Sequence, residues 1–334
     1  MDCAGFFLQA KLVALVRIVY KPQRITRREL GKTAAVAGAL AAGASAQGAL
    51  IEKRRFGRTG LDVGVLGIGT SPLGRDGVTQ QAVNDVIAAA ADHGINYLDT
   101  APIYAQSERR LGPALKGRRE KFVLVTKVEA TSRQDATWQV QESLQKTRAE
   151  YFDLVHLHNV GRTDRFPSLD ILLGDDGALA GLERLKEQGL VRHIGMTCHL
   201  RPKRALPILR SGRVEAVMAA VNCIDRHIYN FEDTLFAEAA DRGLGIVAMK
   251  ILGGVQGDGA ILSDDPHYGR AVRYALGIPG LSVAIMGMKS VAELKRAVET
   301  VQSYEPLEGA DLTEAMEDGK RRAADLGEHR GPVV

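Results

Sequence analysis

Cysteine is scarce in this 334-residue chain, which holds only Cys3, Cys198 and Cys223. Three scattered thiols exclude a disulfide framework and leave no zinc-binding spacing. Cys198 and Cys223 are read as small buried hydrophobes. A surplus of positive charge is missing too, once position is considered. The formal net charge is +4, but residues 1–46 hold seven basic and two acidic residues, a surplus of five that leaves the remainder at −1. A chain body with no basic surplus offers no footprint for nucleic acid. No apolar run after residue 46 is long enough to cross a bilayer. A G-x-G-x-x-G opening a helix is also missing. The first strand–helix turn reads GIGTSPLGRDG (67–77), which counts against an open dinucleotide-binding sheet.

What is present begins with a leader. TRRELGK (26–32) precedes the small-residue run TAAVAGALAAGASAQGA (33–49). A charged start, a weakly apolar run and an end at Ala44-Ser45-Ala46 form an export-signal pattern, and the Arg27-Arg28 pair resembles a twin-arginine signal. Residues 1–46 are therefore expected to be a signal segment whose partner is the twin-arginine translocase, with a periplasmic or exported product. An unprocessed Ala-rich helix or a wrongly chosen start codon is the alternative, and would leave the protein in the cytoplasm.

From residue 51 onward short β-rich runs alternate with amphipathic helices. The runs lie at 63–68, 95–99, 122–128, 153–158, 191–197, 214–221, 245–250 and 282–287. Helical periodicity marks 78–94, 135–150, 177–189 and 291–302. Continuous apolar strands separated by helices mean a parallel sheet covered on both faces. Eight such units predict an α/β fold, a closed (β/α)8 TIM barrel over residues 51–308. Residues 54–66 read as an N-terminal β-hairpin turning at Arg58-Thr59-Gly60, placed to plug the barrel's bottom. Residues 309–334 form an extra C-terminal helix and tail. The Gly/Asp-rich segment 253–266 is a long loop after the seventh strand.

On such a barrel, polar residues at the C-terminal ends of strands face the active site. Those ends supply Asp99 on the second strand, Lys127 on the third and His158 on the fourth, with Tyr104 in the loop after the second. Singly, each has a plainer explanation as a helix cap, a solvated lysine, a core histidine or a loop aromatic. Together they form a proton-transfer set. A phenol is a poor acid at neutral pH, a nearby ammonium lowers its pKa, and a carboxylate holds that ammonium charged. His158 is placed to donate a hydrogen bond to a carbonyl. The set lacks a hydride donor, so a cofactor must supply it.

NYLDTA, YAQSE, VTKV and DLVHLH carry these four residues in order, and EKRRFGRTGLDVGVLGIGT opens the barrel. With these motifs the chain resembles the aldo-keto reductases from about residue 52 to about 302. The resemblance implies Tyr104 as acid/base, Lys127 and Asp99 as its supports, His158 orienting a small-molecule carbonyl substrate, and NADPH or NADH as reductant. It also implies cofactor contacts from Thr70, Thr197, Cys198, Met249, Lys250, Gly287, Lys289 and Ser290. Lys250 would reach the pyrophosphate. Lys289, Ser290 and the following helix N-terminus would hold an adenosine phosphate. Departures from the family pattern fall in the cofactor cleft. Cys198 stands for an amide, Met218 for a Gln, Met249 for a stacking aromatic and Glu293 for a basic residue.

Two other readings compete. His156 and His158, two apart on a strand, point the same way. They would serve a metal-dependent hydrolase if His199, Asp225 or His227 joined them, although no metal-binding spacing is present. A cofactor-binding sensor or associated subunit with little turnover is the third.

Overall fold

The computed structural model describes residues 50–254 and 260–334. The expected signal segment, and the middle of the loop expected at 253–266, lie outside the described residues. Two short strands come first, β1 (Lys53–Arg55) and β2 (Asp62–Gly64), paired antiparallel in a hairpin. Eight parallel strands follow: β3 (Leu66–Gly69), β4 (Tyr97–Asp99), β5 (Val123–Val128), β6 (Phe152–Leu157), β7 (Val191–Cys198), β8 (Ala216–Ala220), β9 (Gly245–Met249) and β10 (Val283–Gly287). They close on themselves, with β10 pairing β3 through Ala284 and Leu66. The single run expected at 63–68 is in fact two strands. The chain pairs with β1 up to Gly64, then changes partner at Val65 and enters the barrel.

Nearly every strand position is buried, as a sheet packed on both faces requires. One apolar cluster fills the space between barrel and helices. A smaller one fills the barrel itself, with Tyr97, Val125, Leu154, Met218 and Val247 among its members. Phe56, just after β1, belongs to the inner cluster and lies 5.8 Å from the Tyr97 ring. The hairpin thus closes the N-terminal mouth. Its approach demands glycine at 245, where a Cβ would meet the Phe56 ring at 2.7 Å.

Side-chain caps fix where helices begin. Thr79, Ser132 and Ser290 each accept a hydrogen bond from the backbone amide three residues on, opening Gln80–Asp92, Arg133–Thr147 and Val291–Gln302. The extra helix, Gly309–Leu326, leads into a tail that returns to the top of the barrel. No helix among the described residues is long and apolar enough to cross a membrane.

Candidate active site

The strand ends deliver the predicted groups to one place. Lys127 is the last residue but one of β5, and Asp99 closes β4, the neighbouring strand. The Lys127 ammonium donates to both Asp99 carboxylate oxygens at 2.7 Å and to the Thr100 carbonyl at 2.7 Å. Both side chains are almost wholly buried, at 1% and 2% exposure. A buried charge with excellent geometry and every donor satisfied is the arrangement in which such a pair persists. Burial alone would lower the Lys127 pKa, but Asp99 and then Tyr104 outweigh it and the group stays cationic, its pKa raised.

Tyr104 lies over this pair, with the Lys127 nitrogen 4.8 Å from its ring centre. Its loop is held from three sides. Ser107 donates to Thr70 at 2.7 Å and meets Thr100 at 3.0 Å, while Glu108 accepts from Thr126 at 2.9 Å. The Ser-Glu of YAQSE is therefore the clamp that aims the tyrosine. Gly74 completes it, since a Cβ there would sit 1.9 Å from the Tyr104 carbonyl oxygen. Ala105, next in the chain, adopts a left-handed φ of 48°, a strained conformation of the kind that clusters at functional sites. Burial pushes the Tyr104 phenol up, and Lys127 pulls it the other way by charge and hydrogen bonding. A lysine's charge alone would put the phenol below its usual value, and burial outweighs it. The net direction is up, so the hydroxyl is protonated at neutral pH, the state an acid needs.

His158 follows β6. Burial lowers its pKa to about 4, so the ring is neutral. Its Nδ1 lies 2.7 Å from the Glu129 carboxylate, which Arg165 also engages. A carboxylate on Nδ1 favours the Nδ1–H tautomer and leaves Nε2 as an acceptor. Donation from His158 to a carbonyl would require the other tautomer or a protonated ring. Sequence reasoning missed Glu129 and Arg165. The only local signal was a carboxylate two residues beyond Lys127.

A cleft of about 350 Å³ opens over these groups, lined by Asp99, Tyr104, His158, Met249, Lys250 and Gly287 among others. The structure does not bring the remaining expected cofactor contacts to it. Thr70 is wholly buried and donates to the Asp99 carbonyl at 2.9 Å, tying β3 to β4. Thr197 accepts from the Asn159 amide at 2.7 Å. The Cys198 thiol turns to the Leu200 carbonyl at 3.0 Å, and burial raises its pKa to about 12, so it is an inert thiol. Ser290 caps its own helix, and the Lys289 amide donates to the Glu293 carboxylate at 2.8 Å. These two contacts close the helix start where a phosphate was expected. Met218 is inside the barrel, and the amide at the end of β8 belongs to Asn222, which bonds Asp225 and the Lys250 carbonyl. His156 is buried in the barrel with both ring nitrogens unpartnered, beside Gly195. Among the described residues no group of three His, Cys, Asp or Glu side chains could hold a metal ion.

Comparison with known proteins agrees with this geometry. The model of the aldo/keto reductase family matches residues 65–269. A solved structure from Pseudomonas aeruginosa, assigned to the aldo-keto reductases, is 31% identical, covering 75% of this chain and 94% of that one with a TM-score of 0.63. An aldo-keto reductase of Bacillus halodurans in its holo form is 25% identical over 84% of this chain and all of its own, with a TM-score of 0.65. The L-galactose dehydrogenase of Arabidopsis thaliana is 33% identical over 161 residues, 44% of this chain and 48% of that protein. The chain spans about half the length of the curated relatives it matches.

Proposed function

This chain belongs to the aldo/keto reductase family, and on that premise we propose that it is an NAD(P)H-dependent oxidoreductase with Tyr104 as acid/base. The reaction is reduction of an aldehyde or ketone to an alcohol, or its reverse. The observation that carries the reading is the Asp99–Lys127 pair, buried and fully bonded directly beneath a protonated phenol at the floor of a cleft.

The cleft fits a nicotinamide. It has the size of a small-molecule site. Met249 and Ile285 give it apolar walls next to Tyr104, and Gly287 leaves bare a position where a Cβ would press on Pro72 at 2.8 Å. The reduced nicotinamide supplies the hydride that the protein's side chains lack. The chain's own residues handle the proton. In the reducing direction the Tyr104 hydroxyl gives its proton to the carbonyl oxygen. The Lys127 charge offsets the phenolate left behind, and Asp99 and the Thr100 carbonyl keep that charge in place. His158, neutral and with its Nδ1 2.7 Å from the Glu129 carboxylate, walls the site without competing as a proton source. NADPH is the reductant we favour, with NADH as the alternative. Glu293 weighs the other way, toward NADH, because its carboxylate holds the Lys289 amide that a ribose phosphate would seek.

Replacing Tyr104 by Phe tests the assignment. Turnover of a generic aldehyde is expected to fall by about 10²- to 10⁴-fold while nucleotide binding, followed by its fluorescence, persists. Equal turnover in the variant would end the reading. We also propose export through the leader. Cell fractionation of the full chain against an Arg27→Lys, Arg28→Lys variant checks it, and an unchanged distribution would count for the cytoplasm.

A further inference from the structure

A second cavity, of about 380 Å³, adjoins the reaction cleft, and the two share His199 and Lys250 in their walls. Its rim comes from the loops after β6 and β7, the end of β9 and the C-terminal tail. The tail is built in. The Arg330 guanidinium bonds Asp225 at 2.8 and 3.0 Å, Tyr229 donates to the Gly331 carbonyl at 3.0 Å, and the Arg201 amide donates to the Pro332 carbonyl at 3.2 Å.

The lining is cationic. Arg162, Arg201, Lys250 and Arg330 line it together with one carboxylate, Asp164, which Arg162 already holds, and the Arg201 guanidinium bonds the Val334 and Gly161 carbonyl oxygens. Arg330 has its counter-charge in Asp225. Lys250 has none. Among the described residues its carbonyl accepts from Asn222, but no acceptor bonds its ammonium. Burial and then the Arg330 charge lower its pKa to about 8. An ammonium in such surroundings gains from an arriving anion. His199 stands beside it with a buried Nε2 that has no partner. The backbone points to the same place. Asn159, Arg201 and Lys250, with φ of 62°, 49° and 55°, are three of the six non-glycine residues in the left-handed region among the described residues, and all three line this cavity. Strain of this kind gathers at ligand clamps.

Resting on the reductase reading, we propose that this cavity receives an anionic group of the carbonyl substrate, a carboxylate or a phosphate monoester. The Lys250 ammonium pairs with it, and His199 makes a second contact through Nε2–H. The substrate then spans from Tyr104, where its carbonyl reacts, to Lys250, where its charge is held. Oxo acids and phosphorylated aldehydes are the two substrate classes that fit.

The test uses the nucleotide-loaded protein and a Lys250→Met variant. Succinic semialdehyde is compared with butanal, and glyceraldehyde phosphate with glyceraldehyde, as ratios of kcat/KM. Succinate and glycerol phosphate are titrated by calorimetry as unreactive probes. The charged member of at least one pair should be preferred by at least about 10-fold, and that preference should collapse in Lys250→Met. Binding of the matching probe should weaken similarly, and the pair that responds identifies the anion. A ratio indifferent to the variant, or absence of binding by both probes, overturns the proposal. So does weaker nucleotide binding in Lys250→Met with the ratio intact, which would give the ammonium to the cofactor's phosphates. If no aldehyde turns over, the reductase reading fails by itself. The calorimetry still judges the cavity, since probe binding lost with Lys250 upholds the anion site.

Discussion

Two lysines stand at strand ends on opposite sides of this barrel, and they are held in opposite ways. Lys127, at the end of β5, has three acceptors at 2.7 Å and almost no exposure. Lys250, just past β9, has no acceptor on its ammonium among the described residues and lies near a second cation, Arg330. A buried charge that is fully bonded belongs to fixed machinery, and removing one member leaves the other stranded. A charge left unbonded in a cavity wall is an open valence for a ligand. On the proposed function, the same residue type at corresponding strand ends would serve the chemistry on one side and recognition on the other.

The largest effect tests what stands on the satisfied lysine. Tyr104→Phe removes the only proton that Lys127 is placed to mobilise, and should lower kcat by about 10²- to 10⁴-fold. Steady-state kinetics with a neutral aldehyde check this. A smaller loss would mean that Lys127 serves packing alone.

Stability separates the two lysines directly. Lys127→Met strands the Asp99 carboxylate in the barrel and should cost about 3–5 kcal/mol at neutral pH. Lys250→Met relieves a half-buried, unbonded charge, and should change stability by less than about 0.5 kcal/mol or raise it. Urea unfolding of both variants against the parent measures the contrast, and comparable losses would break it.

Acid should expose the same asymmetry through the histidines. The folded pKa of His158 is about 4, below the usual value near 6.5. Between those values the unfolded chain binds a proton that the native state refuses, so stability rises with pH across the window and is lost as pH falls through it. For His158 alone the loss is roughly 3 kcal/mol once pH reaches the folded value. His156 and His199 shift the same way, burial first, with Lys127 next for His156 and Lys250 next for His199. Lys250→Met should therefore raise the His199 pKa and leave His156 in place, as proton NMR titration of the imidazoles would show.

How much of this was written in the residues follows from range. The barrel was legible because buried parallel strands are continuous apolar runs, and the helices because their faces repeat. The four catalytic candidates were legible because strand ends on this fold share a rim. What failed was direction. At 63–68 nothing in VGVLGI marks the change of partner at Val65, so two strands read as one. Thr197 and Cys198 end β7 as expected, but their side chains bond Asn159 and Leu200 instead of facing the cleft, and polarity alone cannot tell one face from the other. The pairs that shape the surroundings join distant positions. Arg165 reaches Glu129 across 36 residues, and Arg330 reaches Asp225 across 105. No local pattern announces either, so the tail read only as a tail.

Glu293 extends the comparison to a negative charge and carries the smallest effect. Like Lys127 it is satisfied, its carboxylate accepting from the Lys289 amide while Ser290 accepts from its own. Unlike Lys127 it occupies a helix start, where the free amides and the helix dipole would otherwise favour a phosphate. On the proposed function this carboxylate would compete with the ribose phosphate that separates NADPH from NADH. Glu293→Ala opens that competition. It should cost about 0.5–1 kcal/mol in helix stability. Freeing the amide and removing the charge should move the ratio of nucleotide dissociation constants about 2- to 5-fold toward NADPH. Fluorescence titration with both nucleotides measures the ratio. A ratio that holds still would mean that the phosphate, if bound, sits elsewhere, and that this carboxylate, like the buried pair under Tyr104, is satisfied for the sake of the fold.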